Sequence, residues 1–159
     1  MNCDEPHLKV KVHLPAFTPS RRGPRHVLLA EDNNEMRPLL VRAFVREGYR
    51  VTECFHGIDL LDRLNMLTSQ VEYASPEHKE HYDLIVSDIR MPGITALDIL
   101  RDIAPFEGLP PVILITAFGD EDTHAQAYEL GVAAVFDKPF AFDDLLAKSR
   151  ELVLPQHPR

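Results

Sequence analysis

Cysteine is scarce in this chain: 159 residues hold two, Cys3 near the start and Cys54 in an apolar setting. Two thiols so far apart give neither a disulfide framework nor the clustered spacing of a zinc site, so both are expected to be reduced and structurally minor. No uninterrupted apolar stretch approaches the length of a bilayer-spanning helix, which argues against membrane insertion. The layout of a signal peptide is missing as well, because the segment from Leu8 to Phe17 is broken by Lys9, Lys11, His13 and Pro15. A cytoplasmic protein is the resulting expectation. Positive charge is in deficit, with 17 Lys and Arg against 25 Asp and Glu and a formal net charge of −8. Five of those basic residues fall within the first 26 positions, against two acids, so the remainder is more acidic still. Such a body is not expected to bind nucleic acid directly, and the basic segment with Arg21, Arg22 and Arg25 reads as a solvated leader.

What is present is an ordinary globular composition, 45% hydrophobic and 26% charged, in a chain long enough for one domain and too short for two of usual size. Residues 1–25 contain four prolines and no sustained period, so they read as an irregular leader, with one domain over 26–154 and a short tail over 155–159. The apolar run Val27 to Ala30 meets Glu31-Asp32 and then Asn33-Asn34, a strand ending where a helix can be capped. Met36, Leu39, Leu40, Ala43 and Phe44 recur at helical spacing, Pro38 lies near the first turn, and Gly48 supplies a stop. Arg50 to Cys54 predicts a second strand, and Ile58, Leu61, Leu64 and Leu67 a second helix.

The polar stretch from Thr68 to His81 has no apolar periodicity and predicts a long surface loop or a short extra helix. Within it His78 and His81, with Glu77 and Glu80, read as an exposed polar face rather than a metal site. Asp83 to Val86 and Val112 to Ile115 are apolar runs of the kind that strands buried on both faces require. Helical patterns follow at Leu97 to Ile103 and Asp122 to Leu130, then a fifth strand at Val132 to Phe136 and a last helix marked by Leu145, Leu146, Leu152 and Val153. This alternation predicts an α/β fold: a doubly wound, five-stranded parallel sheet with helices on both faces.

In such sheets ligands gather beyond the carboxyl ends of the strands. The residues there would be Glu31 and Asp32 after the first strand, Asp88 after the third, Thr116 after the fourth and Lys138 past the fifth. Three carboxylates drawn together repel one another and must bind a cation or raise a pKa. Oxygen ligands without His or Cys suit Mg²⁺. Lys138 adds a second cation and Thr116 a hydroxyl donor, the set that an oxygen-rich phosphoryl group needs. In that setting Asp88 is the nucleophile, taking a phosphoryl group from a phosphohistidine or a small phosphoanhydride. Each residue alone has a plainer reading, as a helix cap, a turn residue or a surface lysine. It is their joint occurrence at four strand ends that points to chemistry.

The segments Val-Leu-Leu-Ala-Glu31-Asp32, Leu-Ile-Val-Ser-Asp88-Ile-Arg-Met91-Pro92-Gly93, Ile-Leu-Ile-Thr116-Ala117 and Phe-Asp-Lys138-Pro139-Phe140 resemble, in order, the receiver domains of two-component response regulators. The wording around Asp88 is similar to receivers of the nitrogen-regulation type. The resemblance implies a flavodoxin-like receiver fold, with Asp88 as phosphoacceptor and Mg²⁺ held by Glu31, Asp32, Asp88 and the backbone carbonyl of Arg90. Asp32 is favoured as a direct ligand. It implies further that Lys138 contacts the phosphoryl group, that the Lys138-Pro139 bond is cis, and that Thr116 moves inward on phosphorylation. The implied partners are a sensor histidine kinase or histidine phosphotransfer protein and a downstream protein target read through the fourth helix, fifth strand and fifth helix. A homodimer is admitted but not required.

The chain departs from the family at Val135, where an aromatic switch residue usually stands three positions before the lysine. Phe136 cannot replace it, because adjacent strand residues face opposite sides of a sheet. Ala96 stands where glycine is common, and the 68–81 stretch is longer than usual. Arg90 and Phe118 are expected to tune the lifetime of the acyl phosphate, Phe118 by screening it from water. Two other functions compete. An aspartate-nucleophile phosphatase of the haloacid dehalogenase type needs an acid two residues after the nucleophile, where this chain has Arg90. A receiver-like module that binds partners without being phosphorylated would not need the acids, hydroxyl and lysine together. Nothing in the residues after Val153 reads as an output module, so output is expected from a separate protein or from a region absent from this chain.

Overall fold

The computed structural model describes residues 23–68, 80–103 and 108–153. Most of the expected leader, nearly all of the 68–81 stretch including Glu77 and His78, and the 155–159 tail therefore lie outside the described residues. Among the described residues five strands alternate with five helices: β1 His26–Ala30, α1 Met36–Arg46, β2 Arg50–Cys54, α2 Gly57–Thr68, β3 Leu84–Asp88, α3 Ala96–Ile103, β4 Val112–Thr116, α4 Glu121–Glu129, β5 Ala134–Asp137 and α5 Phe142–Val153. The strands pair in parallel in the order β2-β1-β3-β4-β5. The expected doubly wound sheet is thus the observed one. No helix among the described residues is long and apolar enough to cross a membrane.

The continuous apolar runs are explained by burial on both faces. Every residue of β1, β3 and β4 is buried, and alternate side chains enter two different cores. Val27, Leu29, Val86, Ile113 and Ile115 pack with Leu40 and Phe44 of α1 and Leu145 and Leu146 of α5. Leu28, Ala30, Ile85 and Leu114 pack instead with Leu60 and Leu64 of α2, Ile99 of α3 and Ala127 of α4. Chain reversal at Gly48 and Gly131 uses φ of +92° and +86°, a region open to glycine at little cost.

Several local expectations need correction. The fifth strand begins at Ala134, not Val132: the amide of Val132 donates to the carbonyl of Ala127 at 3.1 Å, so its side chain is a buried contact closing the end of α4. The third strand continues through Ser87 and Asp88, which pair with Leu114 and Ile115. The buried stripe of α1 is Arg37, Leu40 and Phe44, whereas Leu39 is 49% exposed. In α2, Leu60 and Leu64 are buried and Ile58 is exposed.

Candidate functional site

Position along the sheet brings the site together. Parallel strands end on one edge, so Ala30, Asp88 and Thr116 close their strands side by side, with Lys138 directly after β5. Glu31 is fully buried and its amide donates to the Cys54 carbonyl at 3.1 Å, which extends the β1–β2 ladder by one residue. The amide of Lys138 donates to the Thr116 carbonyl at 2.8 Å and does the same for β4 and β5. The Lys138-Pro139 bond is cis.

Oxygens of Glu31, Asp32 and Asp88 lie within 4.8 Å of one another. The Lys138 ammonium donates to Asp88 Oδ2 at 2.8 Å and to Glu31 Oε2 at 3.2 Å. The second oxygens of Glu31 and Asp88 are met by backbone: Asn33 N–H donates to Glu31 Oε1 and Arg90 N–H to Asp88 Oδ1, each at 3.1 Å. Burial, reinforced by the charge of Asp88, pushes the Glu31 carboxyl above its ordinary value, against the pull of the Asn33 amide and of Lys138. Burial alone would lower the Lys138 ammonium; the hydrogen bond to Asp88 and the charges of Asp88 and Glu31 outweigh it and raise the group instead.

A hard divalent cation fits this donor set: three carboxylates, with no nitrogen or sulfur ligand beside them among the described residues, and with Asp32 only half-buried. The turn that carries the acids is shaped locally. Asn33 Oδ1 accepts from the amides of Glu35 and Met36 at 2.8 Å each and so closes the turn that leads into α1. Thr116 is buried, and its hydroxyl oxygen accepts from Phe118 N–H at 3.2 Å, which leaves its proton available for donation.

The outer residues divide between the two sides of the sheet. Arg90 and Phe118 are both exposed, with the guanidinium carbon 5.1 Å from the ring centroid. Val135 packs against the core under α2, α3 and α4, while Phe136 joins Phe140 and Phe142 on the opposite face. Two neighbours of the site were not among the expected residues. Arg37 donates to the Glu31 carbonyl, and its signal was a charged residue in step with Leu40 and Phe44. The His124 ring meets Asp137 at 2.9 Å, with no pattern in the sequence to announce it.

Comparison with known proteins gives a consistent picture. The family model described as "Response regulator receiver domain" matches residues 27–150. The chain is 29% identical over 119 residues to sporulation initiation phosphotransferase F of Bacillus subtilis, covering 75% of this chain and 86% of that protein. It is 34% identical to the DNA-binding transcriptional regulator NtrC of Proteus hauseri over 77% of this chain, but it spans only 23% of that protein's length. Among solved structures, response regulator protein TrrA of Thermotoga maritima, in complex with Mg(2+)-BeF, superposes with a TM-score of 0.64 at 25% identity, covering 80% of this chain and 98% of that one.

Proposed function

Because the chain belongs to the response regulator receiver family of two-component signalling, we propose that it is a phosphoacceptor switch in which Asp88 takes a phosphoryl group from a phosphohistidine. The observation that carries this reading is the convergence of three carboxylates within 4.8 Å, with the Lys138 ammonium 2.8 Å from the Asp88 carboxylate. The solved relative in complex with Mg(2+)-BeF supports it.

Asp88 attacks phosphorus in line with the bond to the donor. The O–P bond forms as the donor's P–N bond breaks, its electron pair leaves with the imidazole, and an acyl phosphate remains on the protein. Glu31, Asp32, Asp88 and the carbonyl of Arg90 would hold Mg²⁺, whose charge offsets that of the phosphoryl oxygens. Lys138 gives up its bonds to the carboxylates and donates to a phosphoryl oxygen. Thr116 donates its hydroxyl proton to another. Phosphorylation adds about one and a half to two negative charges at the strand ends, and partner binding changes only as far as a partner distinguishes the two states. The kinase or phosphotransfer protein, the downstream target and a cytoplasmic setting belong to the same proposal. Val135 makes the coupling to α4, β5 and α5 a matter for other side chains than a switch aromatic.

Incubation with acetyl phosphate and Mg²⁺, read by intact mass, tests the reading. Wild type should gain one phosphoryl group only when Mg²⁺ is present, and Asp88→Asn should gain none. Equal modification of both proteins would refute it.

A further inference from the structure

Arg37 is a buried cation that the phosphoryl chemistry above does not use. It is 7% exposed and lies on the inward stripe of α1 with Leu40 and Phe44. A guanidinium in such a place is normally matched by a carboxylate, because its desolvation is costly. Arg37 forms no carboxylate ion pair among the described residues. Its partners are neutral: Nη1 donates to the Glu31 carbonyl at 2.9 Å, Nη2 to Asn34 Oδ1 at 2.8 Å, and the guanidinium carbon lies 4.2 Å from the Phe55 ring centroid. Leucine or methionine would fill the same stripe without that desolvation cost, so packing does not account for the residue.

Both hydrogen-bond acceptors belong to the turn that carries the acids. Glu31 stands before Asp32 and Asn34 two positions after it, so one rigid fork spans the residue favoured as a direct ligand. The turn is also tied to α1 by the Arg37 amide, which donates to the Asn33 carbonyl at 3.0 Å.

We propose that Arg37 is a positioning residue of the metal site, its guanidinium holding the 31–34 turn in the geometry in which Glu31 and Asp32 serve as ligands. The inference rests on the phosphoacceptor reading and adds to it a residue outside the ligand set. Lysine at this position keeps the charge and much of the stem but loses the fork, so Arg37→Lys should weaken Mg²⁺ binding by about 10–100-fold, the range for residues that orient ligands. Asn34→Ala removes one acceptor at an exposed position and should shift affinity in the same direction by less.

The test is a titration of the full chain with Mg²⁺ alone, followed by calorimetry, beside urea unfolding in EDTA. Weakened binding in both variants, with unfolding midpoints in EDTA close to wild type, is the expected result. Wild-type Mg²⁺ affinity in Arg37→Lys, or a fall in its EDTA midpoint with affinity retained, would show a merely structural residue and overturn the inference. Failure of the wild-type chain itself to bind Mg²⁺ saturably would instead overturn the phosphoacceptor reading, and the inference with it.

Discussion

Replacing Lys138 by methionine removes the side-chain cation that, among the described residues, bonds both Glu31 and Asp88, while keeping most of the stem. At 2.8 and 3.2 Å, the two lost attractions amount to about 6 and about 5 kcal/mol at an effective dielectric of about 20. Desolvation of the three groups offsets much of that sum, and breaking a buried pair typically costs about 3–5 kcal/mol. The lysine side chain keeps 21% of its exposure, which puts the expectation at the lower end, about 3 kcal/mol, or a Tm lower by about 10 °C for a domain of this size. The loss should depend on pH. Glu31 already has a raised pKa in the folded protein, and without the ammonium it rises further. The folded state then binds a proton that the unfolded chain releases, so stability is recovered as pH falls through the raised value toward the ordinary carboxylate range. Urea unfolding in EDTA, followed by circular dichroism from about pH 8 down to about pH 5, should show the deficit shrinking with acidification. A deficit of the same size at every pH, or one below about 1 kcal/mol near pH 8, would refute the reasoning.

Phe118→Ala should shorten the lifetime of the phosphorylated protein, read as loss of phosphoryl mass over time, because the exposed ring stacked with Arg90 stands two residues beyond Thr116; an unchanged half-life would contradict this. Gly57→Ala should destabilise by about 2 kcal/mol through overpacking, despite the better helix propensity of alanine, since an added Cβ would lie 2.2 Å from the Ile94 carbonyl oxygen; urea unfolding reads the sign. His26 is held below its ordinary value by burial and by the charge of Arg50, so the folded state resists its protonation. Wild type should therefore lose stability as pH falls below about 6.5, and His26→Gln, which retains polar atoms for Thr52 and the His81 carbonyl, should lose less over the same range.

Most of the sheet was legible because its central strands are buried on both faces, and such burial writes itself as unbroken apolar runs. What was not legible turns on contacts that periodicity does not encode. Val132 looks like a strand residue because it is apolar and buried, yet its backbone closes α4. Ser87 and Asp88 look like a strand end because they are polar, yet they stay in the ladder beside Leu114 and Ile115. Leu39 and Ile58 fit an apolar stripe by type, but the inward faces of their helices are set by Arg37 and Gly57, residues that a hydrophobic pattern passes over. The acids and the lysine were legible for a different reason: polar residues at the ends of apolar strands must share one edge once the sheet is parallel. The fork from Arg37 and the His124–Asp137 pair depend on side-chain reach in three dimensions, which spacing along the chain leaves open.

The site assignment is tested most directly by trapping the phosphoryl group where it forms. After reaction with acetyl phosphate and Mg²⁺, borohydride reduces an aspartyl phosphate to homoserine, and peptide mapping by mass spectrometry locates the converted residue. Conversion at position 88 alone, absent when Mg²⁺ is withheld, is the predicted result. Conversion at another acid, or a phosphoryl group that survives borohydride on a hydroxyl or imidazole side chain, would contradict the account.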